Sequence, residues 1–427
     1  MSNNLVKKAA FWLYNLGWAL AIPALRLNHR LAEGFEERTL KRKVPSAADL
    51  WIQAASAGES YLAWALLKNL RPTRPLRVMV TSNTSQGMEI LEHAIDDITP
   101  NDRGVTAYGA YFPFDKPAIM ETAVRNIRPK IMVLLESELW PSLLTALKKY
   151  NSKTLIINGR LTRKSLARYL VWPSFWHRLR PDRILAVSEN DAERFATLFG
   201  RENVSVMPNM KFDRLGRTQP LPHRKNPLEK IVRPGTPLLV LGSVRREEES
   251  VVERIILDIH RRLPKTVVGL FPRHMHRIEY WKAALDRLAI PWALRSRTQE
   301  HAHNGTVILW DVFGELAMAY QLSKAAFVGG SLAPLGGQNF LEALACGVVP
   351  VIGPSWDNFA WVGREILDQG LVRRVADWKE VADALVHDMK RSLPHEKVRE
   401  AALRYVKDRQ GGTIRACRLV AEFLNNT

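Results

Sequence analysis

The sequence predicts an α/β protein built from two doubly wound, Rossmann-like domains that face each other across a cleft. Short β-branched apolar runs alternate with helical patterns along most of the 427 residues, and the alternation stops after residue 213 and restarts near residue 236. Alternating strand and helix units imply parallel sheets with helices on both faces. Ligands of such sheets bind beyond the carboxyl ends of the strands, so the residues that follow each predicted strand are the candidate site residues.

Ten predicted strands divide equally between the two halves: 51–56, 76–82, 130–137, 154–158 and 182–188, then 236–243, 266–271, 306–310, 325–330 and 348–353. Between the halves, four prolines, many charges and the absence of periodicity are typical of a linker. We therefore divide the chain into an N-terminal segment (1–30), a first domain (31–213), a linker (214–235), a second domain (236–410) and a C-terminal helix (411–427) that could cross back to the first domain.

The composition fits a globular enzyme with anionic partners. The chain is 46% hydrophobic and 25% charged, and its net charge of +19 comes from basic clusters such as 41–43, 160–168 and 178–183. This balance favours nucleic acid, an anionic membrane surface or a phosphorylated substrate. The two cysteines, Cys346 and Cys417, lie far apart without a disulfide pattern, which favours a reducing compartment.

The N-terminal segment carries an almost uncharged run over residues 9–25, bracketed by lysines and arginines. As a helix this run would reach about 26 Å, slightly less than a hydrocarbon core of roughly 30 Å. We expect a shallow or single-span anchor helix with Trp12, Tyr14 and Trp18 near the membrane interface. The alternatives are an ordinary buried first helix and a cleaved signal peptide, although no Ala-x-Ala site follows the run at the right distance.

The most informative segment, 329–354, predicts two buried strands that flank a glycine-rich turn and a helix. Gly347 lies where that helix would end. Backbone N–H groups exposed at the helix start through Gly336 and Gly337 would bind a phosphate. Glu342, one turn into the helix, could then hold the hydroxyls of an attached ribose. The pattern predicts a nucleotide site.

In the first domain, the strand 51–56 runs directly into Ser56, Gly58 and Glu59. Ser-x-x-Glu before an apolar helical pattern is a capping box, which would make both side chains helix caps. Glu59 is also a candidate general base, because a helix start stabilises the carboxylate anion that accepts a proton. The two roles are compatible.

Two further glutamates, Glu136 and Glu138, follow the third predicted strand. Either they form structural ion pairs with the arginines of 160–165, Arg160 among them, or they line a polar pocket for a polyhydroxylated or phosphorylated acceptor. Lys211, after the last strand of the first domain, either reaches an acceptor phosphate or is a hinge residue.

Basic and glycine-containing turns follow the strands of the second domain. Arg273 and His274 end one strand, and a guanidinium there suits a phosphate or a carboxylate. Ser243, with two arginines after it, and the turn at Gly314 and Glu315 are further candidates. Each signal is weak alone, but all lie at carboxyl ends of strands. Metal binding is not predicted, because the paired histidines lack accompanying cysteines or carboxylates.

These motifs, in this order, resemble the family of 3-deoxy-D-manno-octulosonic acid (Kdo) transferases of lipopolysaccharide assembly. Besides the N-terminal apolar segment, the shared pieces are AASAGES, TSNTSQG, ESELWP, INGRLTRKS, PNMKFD, LGS with EEE, FPRH, DVFGEL and VGGSLAPLGGQNFLE. The resemblance implies a GT-B glycosyltransferase with an inverting mechanism that needs no metal or cofactor. It implies CMP-Kdo as donor, a lipid A precursor as acceptor, and a place at the cytoplasmic face of the inner membrane.

The resemblance also implies roles for residues. Glu59 matches the family's general base, and the CMP ligands match Arg273, Gly314, Glu315, Leu316, Asn339 and Glu342. Together with the candidates found from the residues alone, the predicted donor site adds Ser243, His274, Gly336, Gly337 and Gln338. The predicted acceptor site comprises Ser56, Gly58, Glu136, Glu138, Arg160 and Lys211.

The chain departs from the family pattern at two places. The usual His-Asn-Pro and Leu-Glu-Pro are here Gln338–Phe340 and Leu341–Ala343. Glutamine can donate to a phosphate but cannot be protonated. The usual Thr-His-x-Gly-Glu-Glu turn is here Val244–Glu249, whose added arginines would compensate for the lost histidine.

The expected partners are a CMP-sugar donor, an anionic lipid acceptor and a membrane surface, without nucleic acid or metal. One rival function is another GT-B transferase or an epimerase that uses a UDP-sugar. A second rival is a non-catalytic basic protein, binding membranes or nucleic acid, on a degenerate scaffold. The joint presence of Glu59, Arg273 and Glu342 speaks against the second rival.

Overall fold

The computed structural model describes residues 2–42, 47–99, 104–215, 226–232, 235–391 and 393–426. The chain divides into two compact units, Met1–Arg214 with Arg409–Thr427, and Leu215–Asp408. Each unit contains a seven-stranded sheet in which every pair of neighbours is parallel. The predicted α/β class with two parallel sheets, a GT-B-like architecture, is therefore confirmed.

The sheet of the first unit has the strand order β3-β2-β1-β4-β5-β6-β7. Along the central strand β1, Ile52 enters one core while Trp51 enters the core on the opposite face, as the alternation of side chains along a strand requires. The strands are Leu50–Ala54 (β1), Leu76–Ser82 (β2), Val105–Tyr111 (β3), Ile131–Leu135 (β4), Lys153–Gly159 (β5), Arg183–Ala186 (β6) and Val204–Val206 (β7).

Eleven helices among the described residues belong to this unit. The last of them packs into the first unit's core through Ala416 and Val420. They are Ser2–Leu25 (α1), His29–Ala32 (α2), Phe35–Arg38 (α3), Ala57–Asn69 (α4), Ser85–Ile98 (α5), Pro117–Ile127 (α6), Pro141–Lys149 (α7), Arg163–Tyr169 (α8), Pro173–Arg178 (α9), Glu189–Phe199 (α10) and, after the second unit, Gly412–Asn425 (α18).

The N-terminal helix α1 is docked on one side only. The Tyr14 hydroxyl donates to Asp115 Oδ2 at 2.8 Å, and the ring of Trp18 lies 5.7 Å from that of Phe114. Both rings are therefore packed against the first unit, and their place near a membrane interface stays a prediction. Trp12 is 63% exposed, so α1 is not a buried first helix. No helix in the described part of the chain has the length and apolarity needed to cross a bilayer.

The sheet of the second unit has the order β10-β11-β9-β8-β12-β13-β14. Its strands are Leu238–Val244 (β8), Val267–Pro272 (β9), Trp292–Leu294 (β10), Val307–Leu309 (β11), Ala325–Val328 (β12), Pro350–Ile352 (β13) and Arg373–Arg374 (β14). Its helices are Glu249–Arg262 (α11), Ile278–Arg287 (α12), Leu316–Leu322 (α13), Leu341–Ala345 (α14), Glu365–Asp368 (α15), Trp378–Lys390 (α16) and His395–Lys407 (α17).

Four observed strands were not predicted, namely β3, β7, β10 and β14. Most of the predicted linker, at 216–225 and 233–234, lies outside the described residues. Its described part is not structureless: Pro227–Lys230 forms a 3₁₀ turn that buries Leu228.

Candidate active site

Both sheets reverse their strand order at one place, and Glu59, Glu136 and Ser243 lie at or just after the ends of strands that border it. In the first unit the reversal is between β1 and β4, and in the second it is between β8 and β12. Loops that leave neighbouring strands at such a point diverge to opposite faces, which opens a crevice at the carboxyl edge. The crevice of the first unit is flanked by Glu59 and by Glu136 with Glu138.

Glu59 lies in the first turn of α4, and its carboxylate is held by its own turn. Ser56 is the N-cap, and its hydroxyl lies 3.4 Å from the Glu59 amide and donates to Glu59 Oε1 at 3.0 Å. The amide of Ala55 donates to Glu59 Oε2 at 2.7 Å. The capping interpretation is thus confirmed, with the carboxylate reaching the amide of Ala55. Gly58 is exposed in the same turn.

The environment of Glu59 raises its pKa to about 7. Burial is the largest cause, opposed by the hydrogen bond from Ala55, and the charges of Glu138 and Glu136 raise the pKa further. The expectation that the helix start keeps this carboxylate deprotonated is wrong, because desolvation outweighs the favourable end of the helix. A carboxyl with a pKa near 7 can gain and lose a proton at neutral pH, which suits acid–base chemistry.

Glu136 and Glu138 take different partners after β4. Glu136, whose φ is +58°, forms an ion pair with Lys211 at 2.6 Å, and Arg160 lies 3.9 Å from its other oxygen. Glu138 accepts a hydrogen bond from Trp140 Nε1 at 2.6 Å, and burial raises its pKa. The structure therefore brings Glu59, both of these glutamates, Arg160 and Lys211 into one cluster.

Two buried asparagines, Asn158 and Asn209, position Lys211. Asn158, in a left-handed conformation (φ +59°) at the end of β5, accepts from the amide of Met210 at 2.9 Å. Asn209 accepts from the amide of Lys211 at 3.0 Å. The polar Asn158 inside the apolar run TLIING was a usable signal, since a buried asparagine needs partners.

In the second unit, the buried carboxylate of Glu248 organises the loop after β12. It accepts hydrogen bonds from the amides of Gly330, Ser331 and Leu332, at 2.5, 2.8 and 2.7 Å. The preceding residue, Gly329, has to be glycine, because a Cβ there would lie 2.6 Å from the carbonyl oxygen of Ser243. The sequence analysis gives Glu248 no role of its own beyond its place in the EEE motif.

The glycine-rich turn does not offer the free amides that the sequence predicts. The amide of Gly336 donates to Ser355 Oγ at 2.8 Å, that of Gly337 to the carbonyl of Gly330 at 2.7 Å, and that of Gln338 to the carbonyl of Gly329 at 3.1 Å. The helix begins only at Leu341. The predicted phosphate cradle of exposed amides at the two glycines is therefore wrong, because left-handed φ values near +80° turn these amides inward.

Two acidic residues of the predicted donor site differ in whether their carboxylates are free to bind a ligand. Glu315 is fully engaged, since Arg295 donates to both its oxygens at 2.8 and 2.9 Å and Trp310 Nε1 donates at 2.8 Å. The Gly314–Leu316 turn can thus offer backbone groups but not this carboxylate. The side-chain carboxylate of Glu342 accepts no hydrogen bond from any described residue, and burial raises its pKa.

Two basic candidates of the second unit, Arg273 and His274, are exposed. Arg273 follows β9 and forms no ion pair with a described residue, while its amide donates to the carbonyl of Val244 at 2.8 Å. Burial lowers the pKa of His274, and the charges of Arg245 and Arg273 lower it further. Ser243 adopts a left-handed φ of +55° beside them, and Asn339 is exposed at the start of α14. This edge can hold an anion.

The sequence profile of the family described as 3-deoxy-D-manno-octulosonic-acid transferase matches residues 26–214. The enzyme of that name from Chlamydophila psittaci is 30% identical, over 77% of this chain and 75% of the relative. The one from Haemophilus influenzae is 29% identical over 89% of this chain and 87% of the relative.

Solved structures show the fold. A glycosyltransferase from Rickettsia africae superimposes with a TM-score of 0.56 at 12% identity, covering 89% of this chain and all of the other (100%). A UDP-GlcNAc 2-epimerase from Neisseria meningitidis gives 0.54 at 14% identity, covering 88% and 100%. At these identities the similarity concerns architecture alone. The sequence matches, by contrast, extend over both units, and the chain belongs to the 3-deoxy-D-manno-octulosonic acid (Kdo) transferase family.

Proposed function

We propose that this enzyme transfers Kdo from CMP-Kdo to the sugar hydroxyl of a lipid A precursor, with Glu59 as the general base. Family membership supports the sugar and the reaction class. The observation that carries the mechanism is the half-buried Glu59 carboxyl, whose pKa of about 7 lets it accept a proton at neutral pH.

In the proposed step, Glu59 takes the proton of the acceptor hydroxyl as its oxygen attacks the anomeric carbon of Kdo. The bond between that carbon and the phosphate oxygen of CMP breaks, and CMP leaves with the bonding electrons. Attack from the face opposite the leaving group inverts the configuration. Ser56 holds the carboxylate in place through the hydrogen bond to its Oε1.

The departing CMP gains negative charge, which fixed cations stabilise. Arg273 supports this role, since it is exposed and forms no ion pair with a described residue. With the amides of the glycine-rich turn engaged, the side chains of Ser243, Arg273, Gln338 and Asn339 are left to contact the phosphate. Glu342, with an unbonded carboxyl, would hold the ribose hydroxyls, and the backbone of Gly314–Leu316 would complete the CMP site. The step requires no metal ion.

Acceptor binding is proposed for the cluster around Glu136. Lys211 and Arg160 bring two cations beside Glu136 and Glu138, which suits a substrate with both phosphates and hydroxyls. The enzyme would act at the cytoplasmic side of the inner membrane. The support is α1, where Trp12 and Leu20, 63% and 71% exposed, form an outward apolar stripe above the face that docks on the protein.

The test is mass spectrometry of a phosphorylated lipid disaccharide after incubation with the purified chain and CMP-Kdo. We expect a product heavier by whole Kdo residues, which Glu59→Gln does not form. A heat-protection assay separates the UDP-sugar alternative: CMP should stabilise the chain and UDP should not. Absence of product, or protection by UDP alone, would overturn the proposal.

A further inference from the structure

A chain of side-chain hydrogen bonds runs through the core of the first unit and ends at Asn83, just after β2. Trp51 Nε1 donates to Thr81 Oγ1 at 2.9 Å, and the Thr81 hydroxyl donates to Gln53 Oε1 at 2.5 Å. Gln53 Nε2 then donates to Asn83 Oδ1 at 3.1 Å. The first three residues are completely or almost completely buried, and Asn83 is half-buried.

The bonds of this chain all run in one direction, from Trp51 toward Asn83. An indole N–H can only donate, so the oxygen of Thr81 has to accept from Trp51 and use its own proton elsewhere. That proton goes to the carbonyl oxygen of Gln53, which turns the NH₂ group of Gln53 toward Asn83. The carbonyl oxygen of the Asn83 amide accepts it, and the NH₂ group of Asn83 is left pointing out of the chain.

Asn83 is also held through its backbone. Arg38, only 2% exposed, donates to the Asn83 carbonyl at 2.9 Å and to the Phe112 carbonyl at 3.4 Å. The Asn83 side chain thus has its oxygen occupied and its main chain anchored. Its Nδ2 donates to no side chain or backbone group among the described residues, so it presents N–H donors in one orientation.

The backbone of Asn83 leaves the sheet beside the residue that binds Glu59. Strands β1 and β2 are parallel with Ala54 opposite Ser82, so Ala55 and Asn83 leave the sheet side by side, and the amide of Ala55 is the one that binds Glu59. The turn after β2 also touches the start of α4. A Cβ at Gly87 would lie 2.1 Å from Ser82 Oγ and 2.9 Å from the hydroxyl of Ser60, the residue after Glu59.

We infer that Asn83 is an acceptor-recognition residue, whose amide N–H groups donate to an oxygen of the acceptor sugar beside the hydroxyl that Glu59 deprotonates. An uncharged N–H donor at this position can bind a hydroxyl or phosphate oxygen, and it carries no negative charge that would repel an anionic acceptor. Trp51, Thr81 and Gln53 are positioning residues, because they act only by orienting that amide. This inference rests on the proposed function and adds a specificity element to it.

The test is the steady-state kinetics of Asn83→Asp, with CMP-Kdo and the phosphorylated lipid disaccharide each varied in turn. The new carboxylate keeps an acceptor for Gln53 and replaces only the outward N–H donors by an oxygen. We expect the KM for the lipid to rise at least about tenfold, with the KM for CMP-Kdo unchanged within twofold. An unchanged lipid KM with normal wild-type transfer would overturn the inference alone, whereas a wild-type chain without transfer would overturn the proposed function as well.

Gln86→Glu is the matched control, because it makes the same change from amide to carboxylate at an exposed position three residues later. A lipid KM that rises equally in this control would mean general charge repulsion, and would overturn the role of Asn83. The relay is tested by Thr81→Val, which frees the Gln53 amide to rotate, and by Thr81→Ser, which keeps the hydroxyl. We expect the valine variant to raise the lipid KM severalfold and the serine variant to restore it. Equal effects of the two would overturn the positioning role.

Discussion

The carboxyl edges of the two sheets share a topology but carry opposite chemistry. In the first unit, Glu59 and Glu138 are carboxyls whose pKa values are raised by burial. In the second unit, the carboxylates of Glu248 and Glu315 accept hydrogen bonds from other groups of the unit, while Arg273 is exposed. One edge is therefore prepared to exchange a proton and the other to hold an anion.

The number of acidic residues near a crevice does not determine the chemistry of that crevice. Both edges contain several glutamates, and what distinguishes them is whether backbone amides or arginines already occupy the carboxylate. Glu248 binds three amides of one loop, whereas Glu59 receives one amide bond and is destabilised as an anion by two neighbouring carboxylates. Substitutions at the two edges should accordingly fail in different ways.

The largest expected effect is that of Glu59→Gln, which removes the proposed base and keeps the side-chain shape. We expect kcat to fall about 10²- to 10⁴-fold, the usual contribution of a general base. The affinity for CMP, measured by titration calorimetry, should be unchanged. Glu202→Gln, at an exposed position far along the same unit, is the control and should keep full activity. Normal turnover of the Glu59 variant would assign the base to another residue.

Glu248→Ala should instead damage stability. The substitution leaves the amides of Gly330, Ser331 and Leu332 buried without an acceptor, which costs on the order of 3 kcal/mol in the free energy of unfolding. Denaturant unfolding measures the loss. Glu247→Ala, at the exposed neighbouring position, should change stability by less than about 0.5 kcal/mol. Equal effects of the two variants would show that Glu248 does not hold the loop.

Arg273→Gln should weaken the binding of CMP at the carboxyl edge of the second sheet and leave the carboxyl edge of the first sheet unchanged. Loss of one charge-assisted hydrogen bond predicts a roughly 10- to 100-fold rise in the Kd for CMP. Calorimetric titration with CMP is the measurement. Arg261→Gln, an exposed arginine near the end of α11, is the matched control and should bind CMP normally. If both variants bound CMP as the wild type does, the phosphate would lie elsewhere.

The sequence predicts the central strands well and the marginal ones poorly. Strands β1, β2, β4 and β5 each contain an unbroken, buried apolar run of at least three residues, at 50–52, 78–80, 131–135 and 155–157, because both faces of a central parallel strand are covered. The missed strand β3 lies at a sheet edge with three of its seven residues exposed and only one buried, and it contains Gly109 and Tyr108 in place of an apolar run. The missed strands β7, β10 and β14 have only two or three residues, too few to show a period.

The candidate site was predictable as a set of positions but not as chemistry. Motif spacing marks Glu59 and Glu136, since polar residues after apolar runs are visible in the sequence. Whether the amides of Gly336 and Gly337 are free depends on the loop's own hydrogen bonds, to Ser355 and Gly330, which no local pattern encodes. The same holds for the pKa of Glu59, which is set by burial and by residues some eighty positions away.

The smallest expected effect that distinguishes the two edges is the pH dependence of Kdo transfer. Because the base has to be deprotonated, kcat should rise with pH through about 7, the pKa of Glu59. The raised pKa of Glu59 makes the stability of the fold depend on pH in the opposite direction. The proton bound in the folded state stabilises the fold fully below the usual pKa of a glutamate, and this contribution is lost as the pH rises through 7.

Glu138→Gln sharpens this test by removing one of the two charges that raise the pKa of Glu59. The midpoint of the pH profile should then move to lower pH, by less than burial alone displaces it, since burial is the largest cause. The readout is the ratio of kcat at pH 6 to kcat at pH 8, which should rise a few fold even if the absolute rate falls. Glu36→Gln, an exposed glutamate of α3, controls for net charge and should leave the ratio unchanged. A midpoint that stayed at 7 would mean that the charge of Glu138 does not affect the pKa of Glu59. The difference between the proton-exchanging edge and the anion-holding edge would then be due to burial alone.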